Sequence, residues 1–293
     1  MSSDSERRWV ALSLLSLYLI WGSTFLGMRF ALASFPPFLL GGLRFGLAGG
    51  SLYAWQRWRG VSRPSARQWR HAVYIGALLF GIGNGFVAFA QRTISSGVAA
   101  IVIATVSLWS VLFAMVWGGR PARGELIGLA LGLGGVVLLQ RGGALGGDPL
   151  RLLALLLAPI AWAFGSQWGA RLDLPRGAMG SAIQMLGGGF VVLLMGVASG
   201  ERMRPLTATT TLAFAYLVTF GSLIGFSAYQ YLLAHTRPAL ATSYAFVNPA
   251  VALVLGAALA GEPLDAARLA ACAITAIAVV FVLRARIGTL AQR

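Results

Sequence analysis

The sequence predicts an all-α integral membrane protein, ten transmembrane helices arranged as two inverted five-helix repeats. The first observation is composition: 58% of residues are hydrophobic and 11% charged, with a mean hydropathy of +0.77, against roughly 45–50% apolar and 25% charged in soluble domains. The second is length. At about 20 apolar residues per crossing plus a short loop, 293 residues hold ten spans and leave no separate soluble domain. The third is the Asn248-Pro249 pair in the otherwise apolar or small stretch from Pro238 to Pro263. Pro249 has no N–H for the carbonyl of Ala245 and its ring crowds that carbonyl, so a helix here bends and frees a polar group. In hydrocarbon such a break is tolerated where it is buried in protein or lines a wet cavity.

The runs follow in order. A polar start, Met1 to Arg8, precedes the first, Trp9 to Phe30. That run is longer than the roughly 7–15 residues of a cleavable signal core, and Trp21 and Arg29 interrupt it, so it reads as a span rather than a leader ending at Ala31-Leu32-Ala33. Pro36-Pro37 opens the second, to Trp55, and the segment Arg57 to Arg70 carries five arginines and no acid. Further runs cover 70–91, 96–117 and 124–141, before the flexible break Gly142 to Pro149. Runs at 150–170, 177–198, 210–233, 238–260 and 265–284 repeat the plan. This divides the chain into residues 1–141, a linker at 142–149, and 150–293 with a short C-terminal tail.

All 23 basic residues are Arg against 8 acids, a net charge of +15. In a soluble chain this balance points to nucleic acid. Here the arginines are scattered between apolar runs, which excludes that partner and leaves an orientation signal. With the N-terminus inside, fifteen fall on the cytoplasmic side, among them Arg7, Arg8, Arg120, Arg123, Arg237, Arg284 and Arg293. Seven fall opposite (Arg29, Arg92, Arg141, Arg151, Arg202, Arg204, Arg268), and Arg44 lies within a span. Both termini are therefore expected in the cytoplasm. Cys272 is the single cysteine and sits in an apolar run, which excludes an intrachain disulfide and a Cys-based zinc site; no metal or cofactor is expected.

Five runs per half is an odd number, so the second half is inverted relative to the first, an architecture of many secondary transporters. A shift of 142 residues pairs Gly119-Arg120-Pro121 with Gly261-Glu262-Pro263 and Ser107 with Pro249, and a shift of 141 pairs Trp21 with Trp162. Run lengths and loop positions carry this repeat, because residue identities between the halves are no more than so biased a composition gives by chance.

The LIWGSTF stretch from Leu19 to Phe25, the Leu43-Arg44 pair, and the proline-bearing penultimate run followed by Gly261-Glu262-Pro263 resemble the EamA type of the drug/metabolite transporter superfamily, over nearly the whole chain. The resemblance implies a ten-helix carrier with a central cavity between its halves, moving small metabolites, often amino acids outward, and the YddG-type amino-acid exporters as the branch. The first half departs from the pattern: Ser107 stands where the proline would be and Arg120 where the acid would be.

Candidate substrate-binding residues are Tyr18, Trp21, Asn84, Ser107, Trp162, Tyr229, Tyr244 and Asn248, with Pro249 as a structural kink. Trp21 and Trp162 sit mid-span, whereas membrane Trp favours the interface. A buried indole N–H wants an acceptor, which fits a cavity wall or tight packing against a neighbouring carbonyl. Helical spacing places Tyr18, Trp21 and Phe25 on one face, and likewise Tyr244 with Asn248 and Trp162 with Ser166. Asn84, in Gly81-Ile82-Gly83-Asn84-Gly85, either hydrogen-bonds a solute or joins helices that small residues let approach; Ser107 and Ser110 pose the same choice. Tyr229 lies two turns after Ser222 on one face. Arg44 sits where a charge costs roughly 2.5–3.5 kcal/mol on insertion scales. It either meets a solute carboxylate, or snorkels or holds carbonyls at a helix end.

All eight acids fall in tails, loops or span ends. Proton-coupled pumps rely on buried Asp, Glu or His relays, and carriers of cations want a buried negative charge. The expected function is transport of neutral or zwitterionic solutes without a carboxylate proton relay. The partners are then a small-molecule substrate and the lipid bilayer, with the oligomeric state open and a monomer sufficient. Within transport the alternative is a drug or nucleotide-sugar carrier, the latter needing deep basic residues of which Arg44 is the single case. An enzyme is not expected: His71 and His235 pair with no acid at metal or catalytic spacing, and neither a Gly-x-Ser-x-Gly elbow nor a phosphate-binding loop is present.

Overall fold

The computed structural model describes residues 4–145, 148–236 and 243–290, and expectations about Arg237, Arg293 and residues 238–242 lie outside them. The described residues form ten helical rods. They are α1 (Asp4–Ala31), α2 (Pro37–Trp58), α3 (Ala66–Ala90), α4 (Ser96–Val116), α5 (Arg123–Arg141), α6 (Pro149–Gly169) and α7 (Gly177–Ala198). Then come α8, which starts as Ala208–Tyr216 and ends as Gly225–His235, α9 (Tyr244–Ala260) and α10 (Ala266–Leu290). Seven rods are long and apolar enough to cross a membrane, and α9 and α10 contribute the shorter apolar stretches Val247–Ala260 and Ala266–Phe281. Arg44 and five glycines make α2 less apolar than these. The structure is the all-helical membrane fold that the ten runs predict.

Local chemistry sets the rod ends. Ser65 Oγ accepts the Gln68 N–H at 3.2 Å while Gln68 Oε1 accepts the Ser65 N–H at 3.0 Å, so α3 begins at Ala66 and takes Arg67 and Arg70 into its first turns. Asp148 caps α6 by accepting from Leu150 and Arg151, with Pro149 at the first helical position. Gly261 ends α9 at φ +61°, a left-handed conformation that glycine adopts without strain.

The packing is two-fold. α1 lies against α8 and α9, and α6 against α3 and α4; α3 packs on α7, and α8 on α2; α2 meets α7, α4 meets α9, and α5 meets α10. Raising every helix number by five returns the same set of pairs. The third rod of each half also carries a π-helical segment, Ala77–Gly85 in α3 and Leu217–Ile224 in α8. Wide turns of this kind are rare and frequent at functional sites. Near the pseudo-axis glycines let backbones touch: a Cβ on Gly49 of α2 would lie 2.8 Å from the Leu186 nitrogen of α7.

The rods differ from a uniform repeat in one respect. α4 is broken at Thr105 into Ser96–Ala104 and Val106–Val116, without a proline. The Thr105 hydroxyl donates to the Val102 carbonyl at 2.6 Å, supplying the local alternative to the helix ladder. In the second half α9 runs from Tyr244 with Pro249 as its sixth residue, inside the helix.

Candidate functional site

The mid-span aromatics gather into one cluster. The ring of Trp21, on α1, lies 5.3 Å from Phe226, 5.4 Å from Tyr229 and 4.8 Å edge-on from Tyr244, and the two tyrosines meet at 6.0 Å. Phe226 continues to Phe80 at 5.4 Å, and Phe80 to Trp162 at 6.1 Å. Trp21 of the first half and Trp162 of the second are thus joined by contacts through Phe80 and Phe226. Edge-on ring pairs add about 0.5–1.5 kcal/mol beyond area burial.

Each tryptophan faces the π-helical segment of the opposite half. The Trp21 indole N–H donates to the Gly221 carbonyl at 3.1 Å, which is the packing alternative set out above rather than a free cavity donor. Trp162 lies against Gly83, where an added Cβ would fall 2.9 Å from its ring, and no hydrogen bond from its N–H is found among the described residues. The Tyr18 hydroxyl shares a 2.6 Å hydrogen bond with Ser243, at the start of α9.

Two buried polar groups accompany the rings. Asn248, 7% exposed and one turn beyond Tyr244, has its Oδ1 buried without a hydrogen-bond partner. Its backbone faces α1 across Gly22, whose added Cβ would lie 3.4 Å from the Asn248 carbonyl oxygen. Arg44, 5% exposed, donates from Nε to Ser222 Oγ at 2.9 Å, and its guanidinium lies 4.8 Å over the Phe45 ring. It neither snorkels to the interface nor caps a helix end. Asn84 lies in the α3 π-helical segment and Ser107 just past the α4 break; both are half-buried, and no hydrogen bond or ring contact ties either to the cluster among the described residues. Ser110 donates back to Val106 at 2.8 Å.

At the end of the bundle where α1 finishes, carboxylates hold helix starts. Glu262, 6% exposed, pairs with Arg29 and accepts the Ser96 and Gly97 N–H groups of α4 at 2.8 and 3.2 Å. Glu201 accepts the Phe38 and Leu39 N–H groups of α2 at 3.2 and 2.8 Å. A hollow of about 290 Å³ at the same end is lined by Ser34, Arg92, Glu201, Arg202 and Arg204, and another of about 370 Å³ by residues of α5 and Ile274. Neither coincides with the aromatic cluster. The buried acids stand at span ends, as their sequence positions indicate.

Sequence reading missed Phe80 and Phe226, which join the tryptophans, and set Ser222 on a face with Tyr229 without placing it against Arg44. It also missed Gln91, whose Nε2 donates to the Phe25 carbonyl at 3.1 Å while its Oε1 is buried without a partner. The usable signal for Ser222 was its place one residue after Gly221 in an apolar run.

The comparisons with known proteins agree with this architecture. The model of the EamA-like transporter family matches residues 8–141 and again 150–284. The uncharacterized inner membrane transporter YedA of Escherichia coli (strain K12) is 42% identical over 272 residues, 92% of this chain and 89% of that protein. A probable amino-acid metabolite efflux pump of Salmonella typhimurium is 25% identical over 87% of this chain and 88% of its own length. Its Escherichia coli namesake is 26% identical over 85% of this chain and 86% of its own length. A crystal structure 24% identical in sequence superposes with a TM-score of 0.67, covering 95% of this chain and 98% of the other, which shows a shared fold.

Proposed function

Because this chain belongs to the EamA-like transporter family, and is a multi-pass inner-membrane transporter rather than an enzyme, we propose that it exports small neutral or zwitterionic metabolites, amino acids including aromatic ones, by alternating access. The observation that carries the reading is the aromatic cluster joining Trp21 to Trp162, together with the unpartnered Oδ1 of Asn248, one turn beyond Tyr244 of that cluster. The rings suit an apolar side chain, and the Asn248 oxygen suits an ammonium or amide donor. The Trp162 N–H, for which no acceptor is found among the described residues, is a further donor. Outward movement and amino-acid character draw support from the efflux-pump relatives.

In this reading residues 1–141 and 150–293 are the two moving halves, 142–149 links them, and both termini face the cytoplasm. The halves close alternately over a solute held by the rings, by Asn248 and by the carbonyl freed at the Pro249 bend. Opening at the α1-end side breaks the Glu262 and Glu201 contacts, each charge-assisted bond contributing about 1.5–3 kcal/mol. No carboxylate relay takes part, so transport runs down the solute gradient. The partners are the solute and the bilayer, and one chain suffices.

Counterflow in proteoliposomes with labelled amino acids, nucleosides and organic cations tests this. The expected result is exchange of amino acids, unaffected by an imposed pH gradient. Uphill transport driven by a pH gradient, or exchange confined to cations, would sink the proposal.

A further inference from the structure

Among the described residues Arg44 is a cation without a carboxylate counter-ion. Its side chain is 5% exposed eight residues into α2, and among the described residues no carboxylate lies within ion-pair distance of it. Ser222 takes the Nε hydrogen, and no acceptor is found there for the terminal amino groups. Room for the guanidinium exists because position 221 is glycine, where a Cβ would fall 2.9 Å from Nη2. A charge inside a spanning helix is expensive and marks a solute pathway by default. The Ser222 hydroxyl, the Phe45 ring face and the nearby Tyr216 phenol are neutral and leave the charge under-compensated.

Its neighbours are those of the aromatic cluster. Phe45, beneath the guanidinium, packs on Phe80 at 4.5 Å, and Phe80 reaches both Trp162 and Phe226. Gly221 receives the Trp21 indole N–H on its carbonyl and Arg44 at its α-carbon. The same rings therefore stand near the Arg44 guanidinium, and Asn248, with its unpartnered Oδ1, lies one turn beyond Tyr244 of the cluster. The repeat does not copy the charge: shifts of 140 and 141 residues place Gln184 and Met185 opposite Arg44 on α7.

We propose that Arg44 receives the carboxylate of the carried solute, so that the protein selects carboxylate-bearing molecules, zwitterionic or anionic, over amines and neutral amides. With a zwitterion, the ammonium turns to Asn248 and the apolar portion lies on the rings. That orientation rests on the amino-acid reading above; the carboxylate contact does not. A fixed cation in one half alone gives the solute a defined direction in the site.

The test is competition against counterflow of labelled L-phenylalanine in proteoliposomes, with N-acetyl-L-phenylalanine, L-phenylalaninamide and phenethylamine as competitors. The acetylated acid is expected to compete, and the amide and amine to do so at least about tenfold more weakly, as loss of one charge-assisted bond implies. Arg44→Gln should bring those ratios to near one, and Arg44→Lys should restore part of the preference. Equal competition by all probes in the unmodified protein, or an unchanged preference in Arg44→Gln, overturns the proposal. Should Arg44→Gln fail to fold, the probe series on the unmodified protein with Arg44→Lys decides. If labelled phenylpyruvate is carried and phenylalanine is not, the amino-acid reading falls and the role of Arg44 stands. Carriage of labelled phenethylamine alone, or of none of the probes, sinks it.

Discussion

Gly76 and Gly188 bring α3 and α7 into backbone contact: a Cβ on Gly188 would lie 2.3 Å from the Gly76 carbonyl oxygen. Neither atom belongs to a side chain that can move aside. Gly188→Ala is therefore expected to lower stability by about 1–3 kcal/mol, the usual cost of overpacking. Gly134→Ala, where nothing lies within 4 Å, should cost nothing. Thermal unfolding in detergent separates the two.

Glu262 holds three donors at once, Arg29 and the Ser96 and Gly97 N–H groups. Glu262→Ala leaves the two amides at the buried start of α4 unpaired, a loss of about 1–3 kcal/mol. Arg29, with 39% of its side chain exposed, adds little because water screens it. Glu262→Gln retains an accepting oxygen and should lose less than half as much. Equal losses in the two variants would contradict the cap.

Asn248→Ala should separate folding from transport. Its Oδ1 has no partner to lose, so denaturant midpoints stay level or rise. Flux of the carried solute is expected to fall at least about tenfold, the loss of one hydrogen bond to a charged group. Trp162→Ala should reduce flux similarly. Unchanged flux in both removes these residues from the site.

Trp21→Phe keeps the ring contacts with Tyr244 and Phe226 but gives up the bond to the Gly221 carbonyl. The expected loss is about 1 kcal/mol of stability. Transport should survive better than in Trp21→Ala, which also empties the space the ring fills.

Orientation can be read with a membrane-impermeant maleimide on intact cells, starting from Cys272→Ala. Arg202→Cys should label from outside and Arg59→Cys only after lysis. The reverse pattern would overturn the arginine count.

Helix number and the shared faces of Tyr18 with Trp21 and of Tyr244 with Asn248 could be read from sequence because each rests on local periodicity or on spacing within one rod. The links between rods could not. Phe80 and Phe226 look like any core aromatic until α3 and α8 are set beside each other. The Arg44–Ser222 bond spans 178 residues. The π-helical segments share no compositional mark, since Ala77–Gly85 carries three glycines and Leu217–Ile224 one. The break at Thr105 has no proline to signal it, being made instead by one hydroxyl turned back on the chain, while α9 runs unbroken through Pro249.

The exchange of partners between the halves bears on how the chain comes to exist in the bilayer at all. α1, α2 and α3 find their principal neighbours among α6 to α9, which have not yet been synthesised when the first five rods leave the ribosome. Until then Arg44 lacks Ser222, and the glycine seam of α2 lies open to lipid. Biogenesis must shelter that half-built intermediate, and a nascent chain halted at the glycine linker should be far more sensitive to membrane proteases than the finished one.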